Sequence, residues 1–296
     1  MTTQYRRKIA WALIIIAPVF FCANMIIARA MAGIFPPAAM GLTRWGLVAL
    51  FLAIILFPHV RQHVAGIRTE CRSLALLGGL GMGLCGAPIY LAGTVTTATN
   101  IGLIYAVCPL IILTLSAYVF SISIKLGQLA GLIAGLCGVL VIIIKGDVSV
   151  ITTMQFNGGD LLVVMGTLAF AVYSVGLKQV KTTLPPLLRL GVMAFFGAVW
   201  HLPFVAYEVF IQHNIVTLTP QIFGVAFILV FVASLGAYLS FGVVVSELGA
   251  TRAGTILFLS PVYNAFLAVT LLGEVLAQYH FVGLALILPG LWLANR

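Results

Sequence analysis

One cation stands well inside a long apolar run of this chain, away from its ends: Arg44, within the stretch 37–58. A guanidinium presents five N–H donors in a planar fork, and burying it in hydrocarbon is costly unless acceptors or an anion meet it. Two readings of Arg44 stay open: a site for a substrate carboxylate, or a structural ion pair or carbonyl clamp to a neighbouring helix. Other apolar runs carry neutral polar groups, namely Asn24, Tyr90, Asn100, Tyr105, Tyr173, His201 and Tyr238. These are candidates to line a solute cavity; the competing roles are interhelical hydrogen bonding and an interfacial aromatic belt. The chemistry implied is recognition, because nothing marks a reacting group. The six acids, Glu70, Asp147, Asp160, Glu208, Glu247 and Glu274, all fall in loops or near the ends of apolar runs.

Motifs for cofactors and metals are missing or out of context. Gly81 to Gly86 spells G-x-G-x-x-G but lies inside an apolar run, with no preceding strand and no acid about 20 residues further on. His59 and His63 have helical spacing without a carboxylate or cysteine to complete a metal set. Cys22, Cys71, Cys85, Cys108 and Cys137 are widely spaced and read as packing residues rather than disulfides or metal ligands. No cofactor and no metal are expected. An intramembrane enzyme would need His, Asp, Glu or Ser clustered at one depth, and the sequence offers no such cluster.

The elements that must hold these residues are membrane helices. Apolar residues make up 62% of the chain and charged ones 7%, with a mean hydropathy of +1.20. Runs long enough to cross a hydrocarbon core of about 30 Å recur along it. The expected spans are 9–29, 37–58, 73–94, 98–120, 127–144, 160–180, 189–210, 221–245, 251–272 and 279–295. If the second begins near Pro37, Arg44 lies about 10 Å below its outer end. The chain also repeats itself. Ala98, Thr99, Gly102, Pro109, Gly131 and Gly138 recur 152 positions later as Ala250, Thr251, Gly254, Pro261, Gly283 and Gly290. A weaker echo at an offset of 149 pairs Pro36-Pro37 with Pro185-Pro186, Phe21 with Phe170, and Asn24 with Tyr173. Such repeats in an apolar chain are typical of secondary transporters built from two related halves.

Ten spans divide as five and five, and an odd number per half inverts the second copy. The fold class expected is an all-α membrane protein of ten transmembrane helices in two inverted five-helix repeats, with both termini cytoplasmic. Residues 1–145 form the first repeat, 146–159 a periplasmic linker and 160–296 the second repeat. Charge supports this orientation. It puts twelve Lys and Arg inside, among them Arg6, Arg7, Lys8, Arg68 and Lys178, and leaves only Arg29 and Lys145 outside. The net charge of +9 is thereby explained without nucleic acid, since the basic residues are spread over every cytoplasmic loop. The competing reading of the first run as a cleavable signal is disfavoured by its length and by its echo at 161–178. Asp160 would sit at the start of the sixth helix, where the helix dipole favours a negative charge.

Prolines and glycines add two expectations. Pro109 and Pro261 fall in corresponding spans, where a kink marks either a substrate site or a packing bend. Gly127, Gly131, Gly135 and Gly138 stripe the fifth span at a spacing that suits close helix packing.

The pattern Pro37 … Arg44, the run Thr96 to Gly102 … Pro109, and Gly249-Ala250-Thr251-Arg252 … Pro261 … Leu272-Gly273-Glu274 … Gly283 … Gly290 resembles the drug/metabolite transporter superfamily, in its ten-helix EamA type. Within it the chain resembles the YddG-like amino acid exporters. The resemblance covers nearly the full length. It implies a multi-pass carrier in a bacterial inner (plasma) membrane, monomeric or homodimeric, whose partners are a small-molecule substrate and the lipid bilayer. The first half departs from the pattern at Ile122, the counterpart of Glu274. Proton-coupled extruders of cationic drugs in this superfamily resemble one another in a glutamate buried in the first helix, which this chain lacks. The expected cargo is therefore a neutral, zwitterionic or anionic metabolite such as an amino acid, exported by rocking of the two halves. An importer and a lipid or sugar-carrier flippase are the alternatives within transport.

Overall fold

The computed structural model describes residues 3–31, 33–214, 216–217, 219–272 and 277–295, and all regular structure among them is helical. Gly273 and Glu274, which carry part of the family pattern, lie outside them. Eight helices are long and apolar enough to span a membrane. They are α1 (Gln4–Ala28), α2 (Pro37–Ile55), α3 (Val64–Val95), α4 (Thr99–Phe120), α5 (Leu126–Ile143), α6 (Gly158–Gln179), α7 (Pro186–Phe210) and α8 (Pro220–Leu248). Two shorter apolar helices follow, α9 (Ile256–Leu272) and α10 (Gln278–Ala294). α3 begins nine residues before the expected start at 73. Its first turns carry Arg68, Glu70 and Arg72, and Glu70 is held in place by hydrogen bonds to Thr182 and Thr183.

Local chemistry explains the ends. Prolines open α2, α7 and α8, where a missing N–H costs nothing. Thr97 accepts from the Asn100 amide ahead of α4, and Thr219 from the Ile222 amide ahead of α8. Asn157 and Asp160 form a reciprocal capping box on α6, where the expected negative charge does sit at the helix start. α8 stops at Gly249, whose φ of 93° only glycine adopts without strain.

α1 lies against α8 and α9, while α6 lies against α3 and α4, so each helix partners those of the other half. Two further seams, α2 with α7 and α5 with α10, join counterpart helices, and α7 also lies along α3. Large apolar side chains such as Ile15, Leu50, Leu76, Phe195 and Phe223 stay exposed on the flanks, a surface suited to lipid rather than water. Inside lipid, association depends on close packing, and the α5–α10 seam supplies it through glycine. A Cβ on Gly138 would come within 2.6 Å of the Gly283 carbonyl, and one on Gly290 within 2.7 Å of the Gly131 carbonyl. The repeated glycines thus face one another across the seam.

Both α3 and α8 break regular winding at one place. Residues Gly79–Leu84 and Phe231–Gly236 are π-helical turns, 152 positions apart, the same offset that relates the sequence repeats. α3 breaks further at Cys85 and Gly86 before resuming at Ala87. α4 is interrupted at Val107, and Pro109 opens its second segment, whereas Pro261 lies inside α9. A π-turn frees backbone groups from the regular ladder and is often found at functional sites.

Candidate substrate site

Arg44 is 3% exposed, on the face of α2 turned toward α1, α3 and α8. Its Nε donates to Ser234 Oγ at 2.7 Å and its Nη2 to the Ala233 carbonyl at 2.6 Å. Nη1 donates to Asn24 Oδ1 at 2.9 Å and to Tyr90 Oη at 3.0 Å. The guanidinium carbon lies 4.6 Å from the Trp45 ring centre and 5.8 Å from that of Tyr238. All these acceptors are neutral. Among the described residues no carboxylate comes within ion-pair distance, so the clamp to a neighbouring helix is through a carbonyl and not an acid. A buried cation held only by dipoles and aromatic faces keeps a positive field at the point where four helices meet.

The π-turns deliver the acceptors. Ala233 and Ser234 belong to the turn of α8, and Ser234 itself donates to the Leu229 carbonyl at 2.7 Å. In the α3 turn, the Gly81 carbonyl accepts from Tyr238 Oη at 2.6 Å. Gly81 and Ala233 are counterparts at the offset of 152. Each π-turn therefore offers its equivalent carbonyl to a side chain of the centre, Tyr238 in one case and Arg44 in the other.

An aromatic layer adjoins the cluster. Tyr173 stacks on Phe241 at 6.4 Å and 18°, and meets Tyr238 at 6.0 Å. Phe21 and Phe170, paired by the weaker echo, meet edge to face at 6.4 Å. Trp45 meets Tyr238 edge to face at 4.8 Å. Gly81 makes room, since a Cβ there would approach the Tyr173 ring to 2.4 Å. Asn24, Arg44, Tyr90 and Tyr238 thus form one network, with Tyr173 beside it. Tyr105 is half-buried on α4.

Two of the expected lining residues sit elsewhere. His201 is fully buried in a notch between Gly41 and Gly86, where a Cβ on either would come within 2.3 Å of its ring. Its Nε2 accepts from the Ala87 amide at 3.1 Å while Nδ1 faces the Gly197 carbonyl at 2.7 Å, so Nδ1 carries the proton. His201 caps the second segment of α3. Asn100 donates to both oxygens of Asp160 at 3.1 and 3.0 Å, and to the Gln155 carbonyl, tying the start of α4 to the start of α6. Two of its partners, Thr97 and Asp160, are capping groups. The G-x-G-x-x-G of α3 serves packing: Gly81 faces Tyr173, Gly83 faces Trp200 and Gly86 faces His201.

Sequence reasoning missed Ser234, the Ala233 carbonyl and Trp45. A serine within an apolar run was the readable sign for the first; a backbone carbonyl freed by a π-turn leaves none. The centre is closed in this conformation, with Tyr173 at 1% exposure. A cavity of about 630 Å³ opens instead along the α2–α7 seam, lined by Leu42, Gly46, Ala49, Leu188, Val192 and Phe195 among others, and its apolar walls suit hydrocarbon.

A bundle of apolar spans with lipid-suited flanks defines a multi-pass membrane protein. The model of the EamA-like transporter family matches residues 8–144 and again 157–296, and the chain belongs to that family. It is a membrane transporter and not an enzyme. The chain is 23% identical over 280 residues to the uncharacterized transporter YyaM of Bacillus subtilis (strain 168), covering 94% of this chain and 90% of that protein. An uncharacterized transporter of Methanothermobacter thermautotrophicus is 23% identical over 293 residues, with 91% and 81% covered. A solved crystal structure aligns with a TM-score of 0.74 at 17% identity, covering 99% of this chain and 97% of that one, a likeness of fold.

Proposed function

We propose that the protein is a secondary carrier that exports small metabolites, amino acids or related zwitterionic, neutral or anionic solutes, across a bacterial inner membrane. Ten spans form two inverted halves, residues 1–145 and 160–296, with both termini cytoplasmic and 146–159 as the periplasmic link. The solute binds among Asn24, Arg44, Tyr90, Tyr105, Tyr173 and Tyr238, and rocking of the halves exposes this centre to each side in turn. The observation that carries the reading is the pair of π-turns at equivalent positions of α3 and α8, each offering a carbonyl to the same buried polar cluster. Interrupted helices from corresponding positions of two repeats are how such carriers build a site near the bilayer centre. The absence of an acid in α1 sets the chain apart from the cation extruders of the superfamily it resembles, and favours a neutral, zwitterionic or anionic cargo.

Counterflow of labelled L-amino acids in proteoliposomes tests the reading. Accumulation against an unlabelled internal pool, reduced at least tenfold in Tyr173→Ala with the fold intact, is the expected result. Absence of flux for every amino acid and organic acid tried contradicts the carrier role. Uptake confined to lipids or lipid-linked sugars replaces it with a flippase.

A further inference from the structure

The side-on edge of a guanidinium, formed by Nε and Nη2, is the edge that grips a carboxylate through two parallel hydrogen bonds. In Arg44 that edge is filled by two oxygens from adjacent residues, Ser234 Oγ at 2.7 Å and the Ala233 carbonyl at 2.6 Å. Both bonds are short because the donor carries a full charge, which makes them charge-assisted although their acceptors are neutral. The other nitrogen, Nη1, is anchored independently by Asn24 and Tyr90. The group is buried, charged and without an acid among the described residues.

We propose that Arg44 is the receptor for a substrate carboxylate, and that the α8 π-turn occupies it here as an internal stand-in for the two carboxylate oxygens. The inference rests on the carrier reading above and names its substrate class: small carboxylates, α-amino acids included, with simple amines and amides excluded. Incoming carboxylate takes the Nε–Nη2 edge, while Asn24 and Tyr90 keep the guanidinium oriented through Nη1. The exchange is favourable because a formal negative charge replaces two neutral dipoles beside an uncompensated cation. The Ala233 carbonyl is then free to accept from the substrate's ammonium, beside the Trp45 and Tyr238 faces that attract cations. Binding also removes the contact that ties α2 to the α8 π-turn. A ligand that competes with a contact present in only one conformation shifts the balance away from that conformation. Carboxylate binding and helix movement are thereby linked through the same two oxygens.

The test measures binding to the purified full-length chain in detergent by calorimetry and thermal shift, with matched probes: L-leucine, L-phenylalanine and 4-methyl-2-oxopentanoate against leucinamide, phenylalaninamide and isopentylamine. At least one acid is expected to bind ten times more tightly than its amide, a ratio worth about 1.4 kcal/mol. Ser234→Ala keeps the charge and removes one competing acceptor, so acids are expected to bind about two- to tenfold more tightly, with amides unchanged. Arg44→Lys keeps the charge without the fork and is expected to lose most of the preference for acids. Amides binding as tightly as acids, or no acid binding at all, overturns the proposal. So does weaker or unchanged acid binding in Ser234→Ala, the outcome a purely structural clamp would give. Acid binding without flux in proteoliposomes would overturn the carrier role and leave the receptor standing; equal flux of acids and amides would do the reverse.

Discussion

Removing the Glu208 carboxylate should loosen the start of α2 and, with it, the placement of Arg44. Glu208 lies at the end of α7, 6% exposed, and its two oxygens accept from the amides of Ala38 at 2.7 Å and Ala39 at 2.9 Å. Those amides belong to the first turn of α2, where no intrahelical acceptor exists and the helix dipole favours a negative charge. Glu208→Ala strands two buried donors at about 1–3 kcal/mol each, which gives about 2–6 kcal/mol in all. Glu208→Gln keeps one acceptor oxygen and should lose roughly half of that. Arg44 lies six residues past Ala38, about 9 Å along the helix axis, so a frayed first turn reaches it within two turns. Thermal unfolding of the detergent-purified chain, followed by the fluorescence of a thiol-reactive dye, should rank wild type above Gln and Gln above Ala. An alanine variant that melts with wild type would mean that water or other groups satisfy these amides, and the argument for a fixed α2 register would fail.

Three further perturbations follow from the packing. Gly138→Leu should lower the melting point through a strain of about 1–3 kcal/mol, because its Cβ meets the backbone of Gly283 and Ile287 at 2.6 and 3.0 Å; Gly127→Leu, with its nearest neighbour a side-chain methyl at 3.6 Å, should melt close to wild type. Gly86→Ala and His201→Ala should each destabilise the second segment of α3, and the double variant should be no worse than the poorer single one, as a double-mutant cycle in melting experiments would register. Asp160→Asn exchanges an acceptor for a donor against Thr96, Asn100 and Asn157, and should lower the melting point by the loss of at least one charge-assisted bond, about 1.5–3 kcal/mol, while leaving the ratio of acid to amide binding unchanged.

Much of the architecture could be read from hydropathy and repetition. The apolar runs predicted the helices to within a few residues except at α3, whose amphipathic beginning carries Arg68, Glu70 and Arg72 and so hid from an apolar window. In the glycine stripe of α5, Gly131, Gly135 and Gly138 pack closely as their spacing predicts, while Gly127 at its start has room. The candidate site was legible where a residue's burial is unfavourable by itself: Arg44, Asn24 and Tyr90 are polar groups that an apolar span must reconcile, and they found one another. Asn100 and His201 show the limit of that logic. Both are buried and polar, yet each serves a helix end, His201 the Ala87 amide and Asn100 the capping Asp160, and the need for a cap depends on where a helix breaks. The π-turns were invisible for a related reason. The sequences GLGMGL and FVASLG share little, and an extra residue wound into a helix is decided by tertiary contacts such as Tyr238 on Gly81 and Arg44 on Ala233. A symmetry absent from side chains is present in the backbone.

Accessibility of the Arg44 centre from both faces of the membrane is the decisive measurement. Ser234→Cys, in a chain whose native cysteines are replaced, would be exposed to a membrane-impermeant maleimide in intact spheroplasts and in inside-out vesicles. The account predicts labelling from both sides, with saturating L-amino acid or organic acid slowing it in each. Labelling from one side only, under every condition, would show a centre that never changes access and would contradict the carrier.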